Sequence, residues 1–152
     1  MTTQPADLEN LSILGRETKP SKNLEAFPNR TPGRFYLVTL DTSEFTCLCP
    51  KTGQPDFATI RVQYVPDQKV VESKSFKLYL WSYRNEGAFH EHVVNQILDD
   101  LVRVLDPHWI QVRGIFNIRG GIGIQVKAEQ TKTPEARTQW SKQAAGSEVE
   151  GE

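Results

Sequence analysis

The residue types best suited to covalent chemistry fall together in residues 44–57, a polar stretch that contains Cys47, Cys49, Lys51 and Asp56. It reads as a loop between two strands, where functional side chains are commonly displayed. A thiol with an ordinary pKa of ~8.5 is mostly protonated at neutral pH, and a nearby cation or acid/base partner raises its thiolate fraction or assists its reaction. Lys51 and Asp56 are the local candidates for that help. Residue types alone leave a second reading open, in which Cys47 and Cys49 are small strand residues with no chemistry. The Cys-x-Cys spacing also occurs in metal sites, but no second pair completes a zinc centre, so no metal is expected.

Three further groups carry charge in useful places. Lys74 and Lys77 lie three apart in Glu72-Ser73-Lys74-Ser75-Phe76-Lys77-Leu78-Tyr79 and would share one helical face, where two cations can hold phosphate. The bland alternative is a solvated helix surface. His90-Glu91 falls at the start of a long helical pattern, and a carboxylate there could accept paired hydrogen bonds from an amino-purine edge, or simply favour the helix N-terminus. His90-Glu91-His92 lacks the i, i+4 spacing of a zinc-protease helix. Arg119-Gly120-Gly121 sets a guanidinium beside flexible backbone, which suits phosphate and is equally common in hairpins.

The elements that must position these groups follow from periodicity. Residues 35–40 and 58–65 read as an antiparallel strand pair, the second alternating apolar and polar residues. Residues 72–84 fit a helix for which Ser73 could be the cap, and residues 88–105 place Phe89, Val93, Ile97, Leu101 and Val104 on one helical stripe that Asp106-Pro107 ends. Residues 109–118 and 122–126 alternate again around the glycine turn, giving a second hairpin. The expected fold is α+β: a four-stranded antiparallel sheet with two helices on one face. Its unpaired edges invite association with another chain.

Length and composition bound the rest. The 152 residues suit one domain. Residues 1–32 read as a loosely packed arm, 33–128 as the folded domain, and 129–152 as a polar tail with Trp140 its only large apolar group. The 18 Lys and Arg against 19 Asp and Glu leave a net charge of -1, which gives no bulk attraction to nucleic acid. No apolar run approaches the ~20 residues of a membrane helix. The two cysteines do not form a disulfide framework and no secretory signal is visible, so the expected protein is soluble and cytoplasmic.

Taken in order, the segments Glu44-Phe45-Thr46, Leu48-Cys49-Pro50-Lys51-Thr52-Gly53-Gln54-Pro55-Asp56-Phe57-Ala58-Thr59-Ile60, Glu72-Ser73-Lys74-Ser75-Phe76-Lys77-Leu78-Tyr79, Phe89-His90-Glu91 and Arg119-Gly120-Gly121 resemble one family. It is the short form of NADPH-dependent 7-cyano-7-deazaguanine reductase, a nitrile reductase of queuosine biosynthesis, and the resemblance spans residues 27–127. The resemblance implies the tunnelling fold shared with pterin-forming GTP cyclohydrolases, with subunits joined into rings, a decamer of two pentamers, and active sites at subunit boundaries. It implies Cys49 as nucleophile and Asp56 as the proton-handling group, which would have to hold a proton near neutral pH. Cys47 receives no role. It implies that Val71, Glu72, Ser73, His90 and Glu91 hold the deazaguanine ring, and that Lys74, Lys77 and Arg119 contact NADPH, consumed twice per turnover as a substrate. Two competitors remain at this point: a zinc-dependent hydrolase on the same fold, using Cys49 with His90 or His92, and a noncatalytic binder of deazapurines.

Overall fold

Strands here alternate between a face that meets the helices and a face that meets water, and that alternation builds the architecture. A computed structural model describes residues 4–8, 17–135, 138 and 142. Six strands and two helices follow in the order β1 (Ala26–Pro28), β2 (Val38–Leu48), β3 (Pro55–Val65), β4 (Lys69–Val71), α1 (Ser73–Trp81), α2 (His90–Leu105), β5 (Trp109–Arg119) and β6 (Ile122–Thr131), with a 3-10 turn at Ser82–Asn85 after α1. The main sheet is antiparallel in the order β2-β3-β5-β6, and β1 pairs with β4 in a separate ribbon. Ala58, Ile60, Val62 and Tyr64 of β3, with Ile110, Val112 and Phe116 of β5, face the helices and form one core with Phe76, Tyr79 and Leu80 of α1 and Val93, Ile97 and Leu101 of α2. The opposite face carries polar pairs, Arg61 gripping Asp41 across β2 and β3 at 2.7 and 3.2 Å and Arg113 donating to Gln125 at 2.9 Å, and at one end buries Val65 and Trp109 with Leu37 in a smaller apolar cluster. The α+β layout with two helices on one sheet face is the one expected. Among the described residues no helix is long and apolar enough to cross a membrane.

One irregularity decides which way the reactive end of β2 faces. Thr42 pairs with Ile60 but Phe45 pairs with Ala58, so β2 carries one extra residue as a bulge. Because side chains alternate with period two, the extra residue turns Phe45 and Cys47 onto the helix-facing side already held by Val38 and Leu40. Cys47 thereby lies opposite Asp56 on the buried face.

Several boundaries differ from the sequence expectation. The strand expected at 35–40 runs instead from Val38 to Leu48, and Pro55–Phe57 already belong to β3, so the loop expected at 44–57 shrinks to a turn at 49–54. The polar residues of β2 lie on its solvated face and the bulge breaks the period, which hid the strand. Glu72, rather than Ser73, caps α1: its carboxylate accepts the Lys74 and Ser75 N–H groups at 2.8 and 2.7 Å. Helix α2 starts at His90, two residues late, and Asp106 ends it in the left-handed region with φ 45. Within the arm at 1–32, Ala26–Pro28 pair with Lys69–Val71, and β6 continues past residue 128 to Thr131. Main-chain pairing of short or polar segments leaves little mark on side-chain pattern. Trp140 lies outside the described residues.

The helices are tied by a buried hydroxyl network. Tyr79 donates to Asp100 Oδ2 at 2.6 Å, its hydroxyl meets that of Tyr83 at 2.7 Å, and Arg103 pairs with Asp100 Oδ1. Burial pushes the Tyr79 phenol up, so it stays a donor. Gly114 of β5 packs tightly under α2: a Cβ there would lie 2.7 Å from Val94 Cγ2 and 3.0 Å from Phe116 Cε2. Gly114→Ala is expected to destabilise the fold by about 1–3 kcal/mol, the usual penalty of overpacking a stiff core, read as a lower midpoint in urea unfolding. An unchanged midpoint would show that α2 can move away freely.

Candidate active site

The turn at 49–54 closes the β2–β3 hairpin with Cys49 N–H donating to Gln54 O at 2.8 Å and Gly53 N–H donating to Cys49 O at 3.0 Å. It is docked from one side. Leu48 N–H donates to Glu86 O at 2.9 Å and Ala88 N–H to Leu48 O at 3.0 Å, a parallel bridge centred on Gly87. A Cβ on Gly87 would stand 3.0 Å from Pro50 Cα, so only glycine lets the 86–88 segment lie this close to the turn. Two residues later that segment enters α2 at His90, and one short stretch therefore locates both the Cys49 turn and His90.

The two cysteines now separate chemically. Cys49 is partly exposed, and the Thr52 hydroxyl, the main-chain N–H groups of Thr52 and Lys51, and the Arg119 side chain together lower its pKa to about 6. Donors aimed at sulfur favour the thiolate. Cys47 is fully buried, and burial, reinforced by the Asp56 carboxylate, pushes it up to about 11. Lys51, expected to assist through its ammonium, contributes its N–H instead.

Asp56, 7% exposed, is held from two sides. Arg119 NH1 stands 2.7 Å from Oδ1 and His90 Nε2 stands 3.3 Å from Oδ2. The His90 ring stacks on Phe116 with centroids 3.8 Å apart and planes 12° from parallel, which fixes its orientation. Arg119 reaches Asp56 from the end of β5, which pairs with β3, and from there it also favours the Cys49 thiolate. Cys49, Asp56, His90 and Arg119 thus form one cluster holding a nucleophile, proton carriers and a cation.

The remaining expected site residues lie elsewhere. Val71, Glu72 and Ser73 surround the N-terminus of α1, where Val71 N–H donates to Tyr64 OH at 3.1 Å. Glu91 is exposed in the first turn of α2. Ser73 and Lys77 line a cleft of about 960 Å³ between α1 and β2, whereas Lys74 is exposed and off its wall. Among the described residues, no recorded hydrogen bond or ion pair joins Val71, Glu72 or Ser73 to the Cys49 cluster. Lys77 thus lies at the cleft and Arg119 beside Asp56, at separate places on one chain. Sequence reasoning missed Thr52, Gly87 and Phe116. Only Thr52, three residues after a cysteine in a turn, offered a signal.

Comparison with known proteins finds relatives that share one name. A family model described as QueF-like protein matches residues 55–135. A relative from Syntrophus aciditrophicus (strain SB), called NADPH-dependent 7-cyano-7-deazaguanine reductase, is 60% identical over 131 residues, covering 86% of this chain and 94% of its own. One of the same name from Thermomicrobium roseum is 60% identical over 118 residues, covering 78% and 92%. Among solved structures, the archaeosine synthase QueF-Like in the apo form superimposes with a TM-score of 0.60 at 26% identity, covering 64% of this chain and 96% of that one.

The cluster sets a pH signature. Alkylation of Cys49 by iodoacetamide is expected to rise through a midpoint near pH 6, the value to which its donors bring it. Arg119→Ala removes a cation that favours the thiolate, so the midpoint should move up in pH. Peptide mapping should find Cys47 unmodified at neutral pH; preferential labelling of Cys47 would reverse the assignment.

Proposed function

This chain belongs to the family of NADPH-dependent 7-cyano-7-deazaguanine reductases, and we propose that it reduces the nitrile of 7-cyano-7-deazaguanine to an aminomethyl group through a covalent bond to Cys49. The reaction belongs to queuosine biosynthesis. The observation that carries the covalent route is a partly exposed thiol with a pKa of about 6, set beside the buried Asp56.

A nitrile carbon is electrophilic but weakly polarised, and hydride delivered directly would leave charge on nitrogen. Attack by the Cys49 thiolate forms the S–C bond and sends a C–N π pair to nitrogen, which takes a proton from Asp56. His90, 3.3 Å from Asp56, is placed to restore that proton, and its stack on Phe116 keeps it aimed. NADPH, consumed as a second substrate, supplies hydride. The resulting thioimide accepts hydride at carbon to give a thiohemiaminal, whose C–S bond breaks as nitrogen's lone pair forms an imine. The same donors that lower the Cys49 pKa make sulfur a good leaving group. A second hydride and proton complete the amine: two NADPH and two protons per nitrile, four electrons in all.

The base has two adjacent N–H donors that match a carboxylate, and an analogue lacking them would leave that carboxylate unpaired at ~1–3 kcal/mol. Glu91 is exposed at the start of α2, and Glu72 keeps lone pairs beyond those engaged in capping α1. Because Val71, Glu72 and Ser73 lie apart from the Cys49 cluster in one chain, we assign the complete site to a boundary between chains of a homo-oligomer. The edges of β2 and β6 are the surfaces available for that pairing. We place the reaction in the cytoplasm, where reducing conditions keep a lone thiolate available.

Mixing protein, NADPH and the nitrile base is expected to lower absorbance at 340 nm, and intact mass without NADPH should show the base added to the chain. Cys49→Ala should lose both signals; undiminished turnover by that variant would refute the covalent route, and consumption of neither substrate by the native protein would return the hydrolase or binder readings. Asp56→Asn should still form adduct while turnover falls ~10²–10⁴-fold, the usual range for losing a general acid. Full turnover near pH 7 would remove Asp56 from proton transfer.

A further inference from the structure

The arm ahead of the sheet, expected to pack loosely, is pinned along α1 at several points. Ser21 N–H donates to Leu78 O at 3.1 Å, Glu25 N–H to Ser75 Oγ at 3.0 Å, and Glu72 N–H to Glu25 O at 2.8 Å. Leu24, between them, packs against the core. One side chain of this segment reaches further. Lys22 Nζ stands 2.9 Å from Glu86 Oε2, 3.4 Å from the Tyr83 ring centroid and 5.8 Å from that of Tyr79.

Both partners of Lys22 lead to the reactive end of the sheet. Glu86 heads the segment that holds the nucleophile's turn: its carbonyl accepts the Leu48 N–H at 2.9 Å, and Gly87 beside it lies against Pro50. Four residues on, the same segment delivers His90, 3.3 Å from Asp56. Tyr83 belongs to the hydroxyl network that ends at Asp100 of α2, and its carbonyl accepts the Glu86 N–H at 2.9 Å. A surface ion pair by itself contributes little, because two long side chains must be ordered in water and salt screens them. An ammonium that also lies on a ring face is held by a second, directional attraction. Here the Tyr83 ring is itself buried and hydrogen-bonded, so the cation has a fixed seat from which to hold Glu86.

We propose that Lys22 is a positioning residue for Cys49: by fixing the Glu86 carboxylate against Tyr83 it steadies the 86–88 segment, and with it the turn that carries the sulfur. The proposal rests on Cys49 as the nucleophile and gives the arm a part in its reactivity. Lys22 acts through that turn. The groups that favour the thiolate directly are Thr52, the Lys51 N–H and Arg119, and a turn that drifts from its dock misaims the first two.

The test is the pH midpoint of Cys49 alkylation by iodoacetamide in the full-length protein, read beside steady-state kinetics and urea unfolding. Lys22→Met and Glu86→Gln change the local charge in opposite senses. Acting through bare charge, loss of the cation would raise the midpoint and loss of the carboxylate would lower it. Acting through position, both loosen one segment and both raise the midpoint, by about half a pH unit. Each variant is expected to lower kcat roughly 3–10-fold with KM for NADPH kept and the urea midpoint near native, and the double variant should be no worse than either, since one interaction is broken. Lys22→Arg, which can keep both the ion pair and the ring contact, should restore most of the loss. Midpoints that move in opposite directions, or native midpoints in both single variants, would overturn the assignment. Raised midpoints in both, with a native protein that never oxidises NADPH in the presence of the nitrile base, would support Lys22 as a positioning residue and sink the reductase reading.

Discussion

The nucleophilic sulfur and the buried acid that hands a proton to nitrogen share one cation, Arg119, at the open end of this sheet. Its guanidinium stands 2.7 Å from Asp56 and helps to lower the pKa of Cys49, so one cation serves both groups. A lysine could supply the charge but not the fork that reaches two partners in fixed directions. The main-chain N–H groups of Lys51 and Thr52 and the Thr52 hydroxyl complete the environment of the sulfur without adding further charge. Everything else in the fold that concerns chemistry arranges this contact.

Three devices do so. The bulge in β2 rotates Cys47 inward, where burial makes it inert, and leaves Cys49 to begin the turn beyond. The close approach of Gly87 to Pro50 fastens that turn against the entry to α2, which fixes His90 near Asp56. The Tyr79–Asp100–Tyr83 network holds α1, the 3-10 turn and α2 as one unit, and Glu86 N–H donates to Tyr83 O at 2.9 Å, joining that unit to the segment that grips Leu48. A buried polar network with all its members satisfied rigidifies what it connects. Here it connects the helix bearing Lys77 to the segment that docks the nucleophile.

Nucleophilic and binding functions are thus divided over one protomer. The Cys49 cluster occupies the strand ends, while the residues proposed to receive base and cofactor gather on α1 and the start of α2. Such a division suits a reaction in which one bound compound is reduced twice: the covalent bond keeps the partly reduced base in place while one dinucleotide is exchanged for the next. It also suits assembly of chains along unpaired sheet edges, where one protomer's strand ends can meet another's helix.

How much of this was legible beforehand depends on which physical term dominates each feature. The inward stripe of α2 from Val93 through Ile97 to Leu101 and the alternation in β3 and β5 were readable, because burial of apolar side chains leaves a period in the residue order, but Phe89, expected to begin that stripe, precedes the helix and is exposed. Cys49 and Asp56 were readable as candidates, through residue type and through family resemblance. The extent of β2 was not, since an edge strand with a bulge satisfies its polar residues with water and breaks its own period. Nor was the cap at Glu72, because Ser73 is an equally good capping residue and only backbone geometry chooses between them. Arg119 at the sulfur, Phe116 beneath His90 and Gly87 against Pro50 are contacts between residues far apart in the chain. Residue order by itself determined which side chains are buried and which are chemically able. Which of the able ones meet was decided only in three dimensions, because the pairing of strands and the docking of a turn bring together groups whose separation along the chain carries no information about their distance in space.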